Sequence, residues 1–227
     1  DQANLSNAYV SGMKEDLSMY GNEFTLATTL MNIGSILGGI PSNLLITWIP
    51  PRYVLPGCEI AWGFITVGTY AVKTPKQLYY LRFFLGLLEG TSFVGIQYVL
   101  GSWYKATEIG KRTAIFSCSA YAGTAFGGYI FSGVLAGMNG YKGMPAWRWA
   151  FVVDGVITIL IGLYGLAFFP DTPEKTTAFY LSQAERERCI ERLAEEDRAP
   201  VGTFSWGILK RIVTSWQFYV LTVLWMF

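Results

Sequence analysis

The stretch Leu78-Tyr79-Tyr80-Leu81-Arg82-Phe83-Phe84-Leu85-Gly86-Leu87-Leu88-Glu89-Gly90 decides the fold. It is apolar enough to cross a bilayer, yet it carries two ionisable side chains, Arg82 and Glu89. Seven helical residues amount to two turns less about 20°, with a rise of roughly 10 Å. The two charges therefore share one helix face, stacked along its axis. A charge at mid-bilayer costs roughly 3 kcal/mol or more and normally faces a bundle interior or a watery path. An opposite-sign pair on one face suggests a place for an anion beside a group able to carry a proton.

The surrounding sequence supports a membrane setting. Of 227 residues, 52% are hydrophobic and only 15% are charged, and the mean hydropathy is +0.34. A soluble domain averages about 25% charged residues. Glu23 and Arg52 bracket 28 residues without a charge, and Arg112 and Lys142 bracket 29. About 20 apolar residues suffice to cross the hydrocarbon core. The chain reads as an all-α, polytopic membrane protein.

Six apolar segments precede a cut-off seventh. The first, from Asp1 to about Met13, looks like the tail of a helix. The second runs from about Glu23 to Trp48 and stops at Pro50-Pro51. The third covers about Leu55 to Val72, and Thr74-Pro75 turns the chain into the fourth, about Leu78 to Tyr104. The fifth covers about Thr113 to Gly137. The sixth runs from about Trp147 to Phe169 and ends at Pro170-Asp171-Thr172-Pro173. The seventh starts near Ile212. Residues 1–173 are thus expected to form a six-helix bundle, 174–211 a cytoplasmic linker and 212–227 the start of a seventh helix. The chain reads as a piece of a longer protein, since it begins and ends within apolar helices.

In the linker, Ser182 and Glu185 make a capping box. The helix after it places Cys189, Ile190, Leu193 and Ala194 on one side. Of the 17 Lys and Arg residues, eleven fall on the linker's side of the membrane and six on the other, which puts the linker in the cytoplasm. Four GxxxG patterns (Gly34/Gly38, Gly86/Gly90, Gly123/Gly127 and Gly133/Gly137) offer surfaces for close helix packing. Asn4-Leu5-Ser6 fits a glycosylation sequon but lies on an apolar helix, where it cannot serve as a surface acceptor.

Composition also excludes functions. The chain has no histidine, so Ser-His hydrolysis, HExxH zinc chemistry and haem ligation by His are excluded within it. Proton handling falls to carboxylates or tyrosines. A net charge of +1 gives no basic patch for nucleic acid. Three well-separated cysteines suit packing rather than a metal site or a disulfide framework. No cofactor is called for, and nothing points to an enzyme.

Several blocks then carry a resemblance. They are Asn4-Leu5-Ser6-Asn7-Ala8-Tyr9-Val10-Ser11-Gly12-Met13-Lys14-Glu15-Asp16-Leu17, Ile40-Pro41-Ser42-Asn43-Leu44-Leu45 and Arg82 to Gly90. Gly101-Ser102-Trp103-Tyr104-Lys105, Trp147-Arg148-Trp149, Asp154-Gly155 and Phe169-Pro170-Asp171-Thr172-Pro173 complete the set. Taken in order, they resemble the fungal vitamin permeases of the anion:cation symporter family, within the major facilitator superfamily. Pantothenate permeases are the nearest group, ahead of biotin, nicotinate and allantoate permeases. The resemblance implies proton-coupled uptake of a small organic anion across the plasma membrane by a twelve-helix protein. This chain would supply its first six-helix half, with the C-terminal half as partner. Two departures stand out. Ile49-Pro50-Pro51-Arg52 keeps one Arg of the superfamily's signature loop and lacks its acidic member, and Gln2 follows Asp1 where many relatives have a basic residue.

What the resemblance implies for the site is specific. Arg82 would bind the substrate carboxylate, a guanidinium being a forked match to it; a purely structural ion pair is the alternative. Glu89 would carry the proton. Asp1 is either a second proton site or a structural acid. Asn4, Asn32 and Tyr121 are candidate substrate-binding groups, with Asn7 and Tyr98 beside them and Gln97 weaker. Asp154 reads as a structural partner of Arg148, and Glu59 as a partner of Lys105 or Arg112. A substrate sensor without transport and an inactive truncated product remain alternative functions.

Overall fold

The computed structural model describes residues 2–195, 214–216 and 219–220, with the side chains of residues 2, 3, 40 and 43 excepted. Asp1, the end of the linker and most of the expected seventh helix lie outside the described residues. The described regular elements are all helical: α1 (Gln2–Ala8), α2 (Lys14–Asp16), α3 (Glu23–Trp48), α4 (Pro51–Gly68), α5 (Pro75–Trp103), α6 (Ala106–Met138), α7 (Ala146–Phe168) and α8 (Gln183–Ala194). By length and composition, α3, α5 and α7 can each cross a membrane. The large apolar side chains they leave exposed, among them Ile36, Phe84, Leu160 and Tyr164, suit a lipid surround.

Proline sets two of the helix starts. Pro51 and Pro75 occupy the first turns of α4 and α5, where the missing N–H costs nothing and φ is already helical. α4 therefore starts four residues before the expected Leu55. Ile49, just before the proline pair, is extended, and α3 ends there. α6 starts at Ala106 rather than near Thr113, because Lys111 and Arg112 limit a membrane span without breaking a helix. The first apolar segment is not one straight helix. A π-helical turn over Tyr9–Met13 links α1 to α2, with Gly12 at φ 101°, a conformation that favours glycine.

Two close helix pairs build the bundle. α3 packs along α5 through Gly34 and Gly38 against Gly86 and Gly90. A Cβ on any of these four would run into a facing carbonyl: Phe83 O, Leu87 O, Met31 O or Ser35 O. Hydrocarbon supplies no hydrophobic drive between helices, so this backbone approach and its dispersion energy carry the contact. α4 packs along α7 in the same manner, and here the sequence reading missed the glycines. A Cβ on Gly63 would lie 3.2 Å from Gly155 O, one on Gly155 2.8 Å from Gly63 O, and one on Gly162 3.1 Å from Ile60 N. The other two GxxxG patterns do not pack closely. Gly123, Gly133 and Gly137 face open space, and Gly127 meets only Asn4 Oδ1, at 3.5 Å from an added Cβ.

A hydrophobic core gathers Leu5, Ala8 and Met13 with Leu78, Phe131, Trp147 and Phe151, where α1, α5, α6 and α7 converge. Asp16 seals this end. Its Oδ2 accepts from Trp147 Nε1 at 3.1 Å, Arg148 Nε at 3.1 Å and Arg148 Nη2 at 2.9 Å. At the opposite ends of α5 and α7, the segment before α8 is tied down. Trp103 Nε1 donates to Asp171 O at 2.9 Å, and Arg186 donates to the carbonyls of Pro173 and Glu174. α8 opens with the expected capping box: Ser182 Oγ accepts from Glu185 N, and Ser182 N donates to Glu185 Oε2. Cys189, Ile190 and Leu193 are half-buried along one side, whereas Ala194, expected with them, is exposed.

Candidate functional site

α5 positions the site. Leu78, Leu85 and Gly86 turn inward around Arg82, which is only 1% exposed. Its Nε and Nη1 are buried and make no hydrogen bond. The guanidinium lies over the Phe151 ring of α7, with Cζ 5.4 Å from the ring centroid. Cation–π contact stabilises the charge partly, but it satisfies no N–H. Two carboxylates belong to the same region: Glu89, two turns along α5, and Asp154, one turn along α7 from Phe151. Neither hydrogen-bonds to Arg82, and each keeps one buried oxygen without a partner, Glu89 Oε2 and Asp154 Oδ2. Buried polar groups are nearly always paired, so these unmet donors and acceptors call for an explanation. The arrangement can accept an anion at Arg82 and exchange a proton at a neighbouring carboxylate.

The other candidates are spread over the bundle. Asn4 is buried on α1, close to Gly127 of α6. Asn32 is exposed on α3 and Tyr121 is 79% exposed on α6, so within this chain neither is drawn into the Arg82 cluster. Asp1 lies outside the described residues. Asn7 lines a cavity of about 470 Å³ between the start of the chain and α6, with Ser11, Tyr129 and Ser132. Neither Arg82 nor Glu89 lines that cavity. Gln97 Oε1 accepts from Thr113 Oγ1 at 3.3 Å.

Two expected partnerships are corrected. Arg148 pairs with Asp16, not with Asp154, and also donates to Tyr70 O. Lys105 pairs with Glu195 at 2.6 Å rather than with Glu59, and Arg112 sits over the Tyr104 ring. Asp16 and Glu195 lie far along the chain from these bases, so local spacing could not pair them. The sequence reading therefore undervalued Asp154. The signal was available: it is a single acid within α7, which holds the most apolar of the three spans.

An all-helical bundle with membrane-spanning helices and a buried charge cluster is the architecture of a membrane transporter half. The chain belongs to the Major Facilitator Superfamily, whose family description matches residues 1–227. It is 45% identical to the MFS transporter PfmaC of Pestalotiopsis fici, over 98% of this chain and 42% of that protein. It is 40% identical to the pantothenate transporter liz1 of Schizosaccharomyces pombe, over 100% of this chain and 44% of the relative. It is 37% identical to the pantothenate transporter FEN2 of Saccharomyces cerevisiae, over 99% and 45%. The chain thus spans less than half the length of these relatives.

Proposed function

We propose that this chain forms the N-terminal half of a secondary active transporter, not an enzyme, that takes up a small organic anion together with protons. Pantothenate is the first substrate to test, because two of the relatives above are pantothenate transporters. The observation that carries the reading is Arg82, buried with Nε and Nη1 making no hydrogen bond, on the helix that also carries Glu89. A substrate carboxylate meets two guanidinium N–H donors at once, which makes charge-assisted bonds in a low dielectric. The incoming negative charge competes with Glu89 for Arg82 and favours a proton on Glu89. Anion and proton then travel together, and the chemistry is binding and release alone.

In the same reading, residues 1–173 form the six-helix half in the plasma membrane and 174–211 a cytoplasmic linker to the second half. Asn4, Asn32 and Tyr121 contribute polar groups to a cavity closed by that second half. Asp1 is a further candidate proton site. The test is uptake of labelled pantothenate, biotin, nicotinate and allantoate by the full-length transporter at several external pH values. At least one anion should accumulate faster at acidic pH, Arg82→Ala should abolish uptake, and Glu89→Gln should remove its pH dependence. Failure of all four anions to show pH-dependent uptake overturns the proposal.

A further inference from the structure

Asp154 is the one acid on α7. It lies a single helical turn beyond Phe151, whose ring sits under the Arg82 guanidinium. Its Oδ2 is buried without a hydrogen bond. Thr158 Oγ1 donates to the backbone carbonyl of Asp154 and leaves the carboxylate untouched. Arg148, the basic residue of the same helix, is committed to Asp16 and Tyr70. α4 meets this part of α7 with Gly63 and Val67, which are not ionisable. Arg82, on a different helix, places its guanidinium over Phe151, one turn from Asp154, with Nε and Nη1 making no hydrogen bond.

We propose that Asp154 is the internal counter-charge of Arg82, a positioning residue that holds the empty guanidinium and yields it to the substrate carboxylate. The inference rests on the reading of Arg82 as the anion-binding group. Glu89 and Arg82 share α5, so helical rise fixes their separation. Asp154 is on α7, so its distance from Arg82 changes with any shift of α7 against α5. A buried guanidinium with no counter-charge is costly. Asp154 stabilises the empty site, and for the same reason it competes with the anion. It therefore weakens apparent affinity while helping Arg82 to release its cargo.

The experiment uses the full-length transporter and the best-transported of the four labelled anions, with uptake rates normalised to transporter in the membrane. Asp154→Asn should lower KM by roughly threefold to tenfold and lower Vmax as well, because the anion then has no rival for Arg82. Asp154→Ser makes the same neutralisation if the Asn variant fails to reach the membrane. Asp154→Glu restores the charge and should return both parameters toward wild type. A merely structural acid would reduce the amount of transporter and leave KM alone. A KM unchanged or raised in the neutral variants, with a normal wild type, overturns the role of Asp154 and leaves the transporter reading standing. A wild type that takes up none of the four anions overturns the proposed function, and this role falls with it.

Discussion

Arg192 of α8 donates through Nη2 to both carboxylate oxygens of Glu108 in the first turn of α6, at 2.6 and 2.7 Å. Glu108 also suits its place, since an acid near a helix N-terminus meets the positive end of the helix dipole. Beside it, Lys105 binds Glu195 at 2.6 Å with the charges in the opposite order. The Arg192–Glu108 pair is partly solvated and contributes about 0.2–1 kcal/mol, while the Lys105–Glu195 pair lies in solvent and is screened by salt. Arg192→Glu should make α8 more protease-sensitive at unchanged membrane insertion. The swap Arg192→Glu with Glu108→Arg should recover resistance. Equal sensitivity in the single variant and wild type would show that the pair does not hold α8.

Acid should loosen the same helix. The Lys105 hydrogen bond and charge hold Glu195 below the ordinary glutamate value of 4.5, and hydrogen bonds from the backbone and side chain of Ser182 do the same for Glu185. A carboxylate depressed in the folded state adds stability above its unfolded value and loses it as pH falls through the folded one. The loosening should therefore appear only below about pH 4.5. Hydrogen exchange of residues 183–194, corrected for intrinsic rates, measures it; protection unchanged down to about pH 3 would contradict it.

Gly86→Val should separate α3 from α5, because a Cβ there meets Met31 O and cannot be relieved by rotating a side chain. Overpacking typically costs 1–3 kcal/mol, and a rigid backbone contact belongs at or above the top of that range. Gly133→Ala faces open space and should be neutral. Thermal unfolding in detergent compares the two, and equal midpoints would disprove the close approach.

Asp16→Ala should destabilise the end where α1, α5, α6 and α7 converge, by about 1–3 kcal/mol, since the fully buried Trp147 loses the acceptor for its Nε1 and Arg148 loses its counter-charge. The check is the unfolding midpoint together with the indole fluorescence of Trp147. Wild-type behaviour would mean that water replaces the carboxylate at no cost.

Arg82→Lys keeps the charge but replaces a fork of donors by a point charge. Uptake of a carboxylate substrate should fall roughly tenfold or more, chiefly through KM. Full activity in the Lys variant would show that charge alone is enough and that no two-pronged contact forms.

How much was legible beforehand depends on the range of the contact. Arg82 and Glu89 share a face because both are on α5, and helical geometry relates residues seven apart wherever the helix lies. The capping box of Ser182 and Glu185 is equally local, as are the proline-set starts of α4 and α5 once read as first-turn positions. Gly34/Gly38 and Gly86/Gly90 were legible as small-residue surfaces, but so were Gly123/Gly127 and Gly133/Gly137, which pack closely against nothing. The spacing of glycines shows that a helix can be approached closely, not which helix approaches it. Asn32 and Tyr121 illustrate the same gap: their polarity was plain, and their azimuth was not.

The sequence by itself determined the membrane class, the order of the helices, the charged face of α5 and the capped start of α8, because hydropathy and helical periodicity act over a few turns of one segment. Only the tertiary structure decided that α3 crosses α5 glycine to glycine, that Asp16 rather than Asp154 takes Arg148, and that Phe151 of α7 lies under Arg82. Those outcomes depend on the crossing of helices distant along the chain. An interhelical pair is set by the azimuth and depth of two independent rods, and no repeat within either rod encodes both.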